Sequence, residues 1–389
     1  MQRTNWRKVQ LVAVARAVSW LGSDLTLYAL LLRESANGGL AVGAIFVAGT
    51  LATVVLAPWA GAIADRYPTR VLIPVTTLAQ AALVPLFIIR MPLVAVLAIM
   101  FVLRTFATVA QPTWLALTPS IAAPADLPRA AGIEQTYQSI ARMLGPVAAG
   151  VLVAATGYVL PFVIDAFTFL LLAATPRLVD VNRTVASVGT PVRANMLAGF
   201  TILWRSRLLR ALTFVLTIFI LGAGAINVGA IFLITKTLHE SSATYGLVEA
   251  GFATGTLLGG LAASAIRVPE QRQAAVIITG LTIMGFAELG VAVAANWQIA
   301  LVTMALAGLG QTVMNAYASS VLIRHTPEEA LGRMSAAING VTQAGLMVSM
   351  LAAGVALDAF GVREVLAAGA LLSLIALGAA AGPLLTTAR

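Results

Sequence analysis

The stretch AAGVLVAATGYV, residues 148–159, returns near the far end of the chain as AAGVALDAFGV, residues 352–362. Ahead of each copy stands a second matched pair, PADLPRAAG (124–132) and PEEALGRMSA (327–336). Pro124 to Pro327 is a shift of 203 residues, while Arg129 to Arg333 and Gly157 to Gly361 are shifts of 204. One inserted residue reconciles them. A repeat spaced at about half of 389 residues is the mark of a duplicated half-chain unit.

Composition says what surrounds that unit. Hydrophobic residues make up 60% of the chain and charged residues 10%, with a mean hydropathy of +0.94; a water-soluble chain carries about 25% charged residues. The apolar residues gather into runs of about twenty, the length at which a helix crosses a hydrocarbon core of roughly 30 Å. Barrel strands are half as long and alternate. The breaks predict twelve spans, over 9–32, 40–64, 71–89, 92–117, 131–155, 158–176, 207–235, 242–266, 274–295, 297–322, 334–357 and 361–385. The polar segment 177–206 separates a bundle over 1–176 from one over 207–389. The repeated stretches fall on spans five and six and again on eleven and twelve, in the same orientation. The expected architecture is therefore all-α, two parallel pseudo-repeated six-helix bundles related by an axis along the membrane normal.

Charge supports this layout. Outside the spans, only Arg33, Arg90, Lys236 and Arg363 fall on one side, and Arg16, Arg104 and Arg142 lie within spans. The remainder of the 24 Lys and Arg residues fall on the other side, which the positive-inside rule makes cytoplasmic, with both termini there. The net charge of +9 thus reads as orientation, with no nucleic-acid partner expected. The basic start followed by an apolar run is read as an uncleaved first span, since Arg16 and Asp24 interrupt it where a signal peptide is apolar. The absence of cysteine excludes disulfides and thiolate chemistry, and His239 and His325 alone make no zinc site. No Gly-rich loop ending in Gly-Lys-Ser/Thr, no His-Glu-x-x-His and no Gly-x-Ser-x-Gly is present, so neither ATP hydrolysis nor intramembrane enzymology is expected, and no cofactor or metal.

Two motifs connect the layout to a family. GAIADRYPTR, residues 61–70, resembles the signature loop of the major facilitator superfamily through Gly61, Asp65, Arg66 and Arg70, with Pro68 and Thr69 as departures. Asp65 is read as standing where the third helix begins. ARMLGPVAAG, residues 141–150, resembles that superfamily's antiporter motif through Gly145, Pro146 and Gly150. Small residues bring helices close and proline bends one, so a tight seam beside a joint is expected. The equivalent positions of the second half are Ser349 and Met350, so the motif belongs to one half only. The surrounding sequence, with PFVIDAFTFLLLA in span six, is similar to the subfamily of macrolide-efflux and enterobactin-export proteins. The resemblance implies secondary active efflux by alternating access.

Ionisable residues at bilayer centre cost about 2.5–3.5 kcal/mol on the lenient scale and need partners or water. Asp24, Arg104, Arg142 and Asp165 are such residues, all in the first half. They are the proton-coupling candidates, Asp24 first; the competing reading is a set of ion pairs that fix helix packing. Gln138, Asn227, Glu249, Gln311, Asn315, Asn339 and Gln343 are the cavity candidates. Gln311 and Asn315, like Asn339 and Gln343, are four apart and share a helix face. Glu288 is placed toward the outer third, snorkelling or lining a vestibule, while Arg16, Glu134 and Asp358 are assigned solvated or capping roles near the interfaces. The expectation is a monomeric multi-pass protein of a bacterial cytoplasmic membrane that expels hydrophobic or amphipathic molecules on a proton gradient. A lipid carrier of the same fold and a transport-inactive scaffold or sensor are the alternatives.

Overall fold

The computed structural model describes residues 4–179, 207–266, 268–324 and 328–386. Among the described residues there are twelve long α-helices. They are α1 (Trp6–Glu34), α2 (Gly39–Arg66), α3 (Thr69–Leu83), α4 (Leu93–Ile121), α5 (Leu127–Thr156) and α6 (Val159–Val179) in the first half. The second half holds α7 (Arg207–Phe232), α8 (Ser242–Ala265), α9 (Glu270–Ala292), α10 (Trp297–Arg324), α11 (Glu328–Phe360) and α12 (Val362–Thr386). Helices α2 to α11 each carry a stretch long and apolar enough to cross a membrane. Residues 177–179 of the expected central loop close α6, and the rest of that loop lies outside the described residues.

Local sequence sets the ends. Pro92 and Pro269 precede α4 and α9, where a missing N–H costs nothing. The Ser241 side chain accepts the Thr244 N–H at 3.2 Å and caps α8. The repeated glycines Gly157 and Gly361 have φ of 76° and 106° in the turns that join α5 to α6 and α11 to α12. A side chain is disfavoured there, so the duplication kept glycine at both.

The described residues of Met1–Glu34 and Ala48–Thr190 form one compact unit, and those of Ser35–Val47 and Pro191–Arg389 the other. Within the first, α1 packs on α5 and α6, and α3 on α4 and α6. Within the second, α7 packs on α11 and α12, and α9 on α10 and α12. These are the same pairings shifted by six helices, which is the parallel repeat expressed in packing. Val12, Ile73, Trp114 and Leu117 lie in the core of the first unit, and Phe219, Leu281, Met284 and Met314 in that of the second. Side chains such as Val94, Phe167, Phe286 and Phe360 are apolar and exposed, as on a surface suited to hydrocarbon.

The first turns of α2 belong to the second unit. There the Asp358 carboxylate, near the end of α11, accepts the Gly39 N–H at 2.7 Å and the Leu40 N–H at 3.2 Å. This is the capping role expected of Asp358, met by a residue distant in sequence.

One boundary differs from expectation. Asp65 lies in the last turn of α2, and α3 begins at Thr69 after Pro68. The helix continues through Ala64, Asp65 and Arg66 because nothing interrupts it until Pro68, which disfavours helical backbone at Tyr67. The Asp65 side chain lies outside the described residues, as do His325 and the side chain of Arg333.

Candidate substrate cavities

Each unit holds a cavity. The one in the first unit has a volume of about 600 Å³, and Asp24, Arg104 and Arg142 face it from α1, α4 and α5. Gly145 explains how Asp24 fits. A Cβ on Gly145 would lie 2.6 Å from the Asp24 Cβ and 2.7 Å from its Oδ2, so the absence of a side chain on α5 is what seats this residue between the two helices. The seam expected from Gly145 and Pro146 is thus the α1–α5 contact, with Pro146 inside α5 and Gly150 buried one turn on.

A second glycine seats the second carboxylate. A Cβ on Gly22 would lie 2.6 Å from Asp165 Oδ1 and would also overlap the Thr168 hydroxyl. Asp165 is wholly buried and accepts hydrogen bonds from the Thr26 hydroxyl at 2.5 Å and the Thr168 hydroxyl at 3.2 Å. Asp24, Arg104 and Arg142 make no ion pair among the described residues. The positive charges acting on Asp24 are Arg142 and then Arg104. The four proton-coupling candidates therefore converge, with Asp165 satisfied by hydroxyls and Asp24 open to the cavity.

Arg16, expected in a solvated or capping role, is instead a cavity-lining residue. It is buried, lines the same cavity, and pairs with Glu134 at 3.0 Å. Its guanidinium lies 4.7 Å from the Trp20 ring centre and 5.5 Å from that of Trp114, a cation–π arrangement. Glu134 is held further by the Thr118 hydroxyl at 2.8 Å. The signal was present: Arg16, Trp20 and Asp24 recur every four residues, on one face of α1.

The second unit's cavity, about 350 Å³, is lined by Gln311 and Asn315 from α10 and by Asn339 and Gln343 from α11. Both predicted amide pairs meet there, against Phe219 and Met314. The remaining candidates do not join them. Asn227 is exposed and donates to the Ala223 carbonyl of its own helix at 3.0 Å. Glu249 interacts with the buried Tyr245 one turn earlier. Gln138 is half-buried on α5 and lines neither cavity. Glu288, expected at a vestibule, is 1% exposed, with its Oε2 lacking a hydrogen bond and the Ser373 hydroxyl as its polar neighbour. Gly61 lies within α2, next to the cavity-lining Ala60, and Arg66 and Arg70 flank the α2–α3 turn; none of the three lines either cavity, and a Cβ on Gly61 would meet nothing within 4 Å.

The family described as transmembrane secretion effector, a group of major facilitator transporters, matches residues 4–385. The chain belongs to that family. It is thus a membrane transporter and not an enzyme. Macrolide efflux protein A of Streptococcus pyogenes is 23% identical over 96% of this chain and 95% of that protein. Among solved structures, a bacterial homologue of the human lysosomal transporter Spinster matches with a TM-score of 0.75, 13% identity, and 99% and 98% of the two chains covered. A bacterial homologue of the iron transporter ferroportin matches with a TM-score of 0.73 at 16% identity over 100% of both chains. At those identities the two structures speak to fold alone.

Proposed function

We propose that this transporter is a proton-coupled exporter of hydrophobic or amphipathic small molecules. It works as a monomer in a bacterial cytoplasmic membrane with both termini inside, by alternating access, and draws on the proton gradient with no bound cofactor. The observation that carries this reading is the seat of Asp24: a carboxylate lodged against Gly145, open to a cavity, and facing two arginines without being ion-paired to either. A carboxylate already locked in an ion pair would exchange a proton only at the cost of breaking it. Asp24 has no such pair, so water in the cavity can deliver and remove its proton. Because Asp24 sits in the α1–α5 seam, a change in its charge acts where these two helices meet. Efflux is supported by the similarity to a macrolide efflux protein and by the Gly145-Pro146 motif. The amide-lined cavity of the second unit supplies uncharged donors and acceptors for the rest of a substrate.

The test is purified protein in liposomes with an internal pH dye and an imposed proton gradient, given lipophilic cations, lipophilic acids and macrolide-like compounds. Wild type is expected to show substrate-dependent proton flux, and Asp24→Asn to lose it while remaining folded. Flux retained in the variant removes Asp24 from the coupling. No flux from a folded wild type with any compound removes the exporter reading in favour of a lipid carrier or a scaffold.

A further inference from the structure

The charges around the first unit's cavity are asymmetric in one respect: arginine keeps its charge at any biological pH, whereas a carboxyl can lose its charge by taking a proton. Arg16 and Glu134 cancel as an ion pair. That leaves Arg104 and Arg142 against Asp24 and Asp165. With both carboxyls ionised the group is neutral, and each proton taken up makes it more positive. The wall is never negative. A cationic guest therefore finds no surplus of negative charge, and the one carboxylate bordering the cavity already faces two arginines.

An anionic guest finds the opposite. Arg104 and Arg142 both border the cavity, and neither guanidinium has a hydrogen-bond acceptor or an ion-pair partner among the described residues. Guanidinium donors lie in one plane and match the two oxygens of a carboxylate or the oxygens of a phosphate or sulfonate. Beside them, parts of the Trp20, Trp114 and Phe169 rings line the cavity, the last two almost wholly buried and the two tryptophans also carrying the Arg16 guanidinium. A volume of about 600 Å³ suits a guest of drug-like size.

We infer that the substrate of this cavity is an amphiphile with an acidic head, an oxyanion held by Arg104 and Arg142, whose apolar body lies against Trp20, Trp114 and Phe169. The inference rests on the carrier reading for its sense as transport, but the binding itself can be measured without transport. Asp24 competes with the acidic head for the same two guanidiniums. Its replacement by asparagine leaves them to the guest.

The probes are three compounds sharing one apolar body and differing in the head: pyrenebutyric acid, pyrenebutanol and pyrenebutylamine. Binding to the full chain in nanodiscs of uncharged lipid is read by energy transfer from tryptophan to pyrene. The acid is expected to bind at least about tenfold tighter than the amine, as charge-assisted hydrogen bonds from two guanidiniums require. Arg104→Gln and Arg142→Gln should each erase most of that preference, and Asp24→Asn should strengthen it. Equal or tighter binding of the amine overturns the inference, as does a preference that survives in both glutamine variants. If the glutamine variants do not fold, the order of the three probes on wild type and on Asp24→Asn decides alone. Acid binding without any proton flux retains the anion site and removes the proton-coupled reading; flux driven by cations alone does the reverse.

Discussion

Gly145 and Gly22 matter because of what they leave room for. Each stands where a methyl group would overlap a carboxylate of the first unit. Gly145→Ala is expected to lower stability by about 1–3 kcal/mol, the usual cost of overpacking, and to weaken substrate-driven proton flux, since Asp24 must move. Thermal unfolding and the liposome assay check both. Gly61→Ala is the contrast within the same set of motif residues: with nothing within 4 Å of the added methyl and alanine the better helix former, it should keep or raise the melting temperature. That Asp24, Arg104, Arg142 and Asp165 are costly residues was legible from their depth in apolar runs. Which of them are satisfied was not, because the Thr26 hydroxyl reaches Asp165 only when α1 and α6 are packed, although Thr168 stands one turn on in the same helix. The burial of Arg16 was not legible, because distance from a span's end is a poor guide to burial once tryptophan and glutamate partners lie on other helices.

Between elements, the two halves solve one packing problem in opposite ways. In the first, polar Asp24 on α1 meets Gly145 on α5; in the second, polar Ser349 on α11 meets Gly224 on α7, where an added Cβ would lie 2.5 Å from that of Ser349. The Ser349 hydroxyl also donates to the Leu221 carbonyl, so the polar side chain at the second seam is satisfied by backbone. The longest glycine seam joins α8 to α10. Gly251, Gly255 and Gly259 repeat every fourth residue and face the carbonyls of Leu301, Ala305 and Leu309. A methyl on Gly255 would overlap the Ala305 carbonyl, and backbone cannot yield as a side chain can. Gly255→Ala is therefore expected to destabilise more than Gly145→Ala, read as the larger fall in melting temperature. Asp358→Ala should uncap α2 and cost about 1 kcal/mol, measured the same way, with transport reduced less than by Asp24→Asn.

For the molecule as a whole, the natural lack of cysteine offers a direct check of orientation. Single cysteines at Asn37, in the α1–α2 turn, and at Tyr67, in the α2–α3 turn, lie at opposite ends of α2. An impermeant maleimide added to intact cells should label the first and spare the second. The reverse pattern would overturn the proposed orientation.

The sequence alone determined the solvent, the number of helices and the duplication, because crossing hydrocarbon demands long apolar runs and a duplicated unit leaves matching stretches at matching offsets. It also determined that the amide pairs share helix faces, since spacing of four is a property of a single helix. Only the tertiary structure decided that the two amide pairs meet in one cavity, that Gly145 is the seat of Asp24, and that Arg104 and Arg142 have no ion-pair partner beside it among the described residues. Each of these is a relation between different helices, where distances of a few ångströms determine whether a charge is cancelled or left for a substrate.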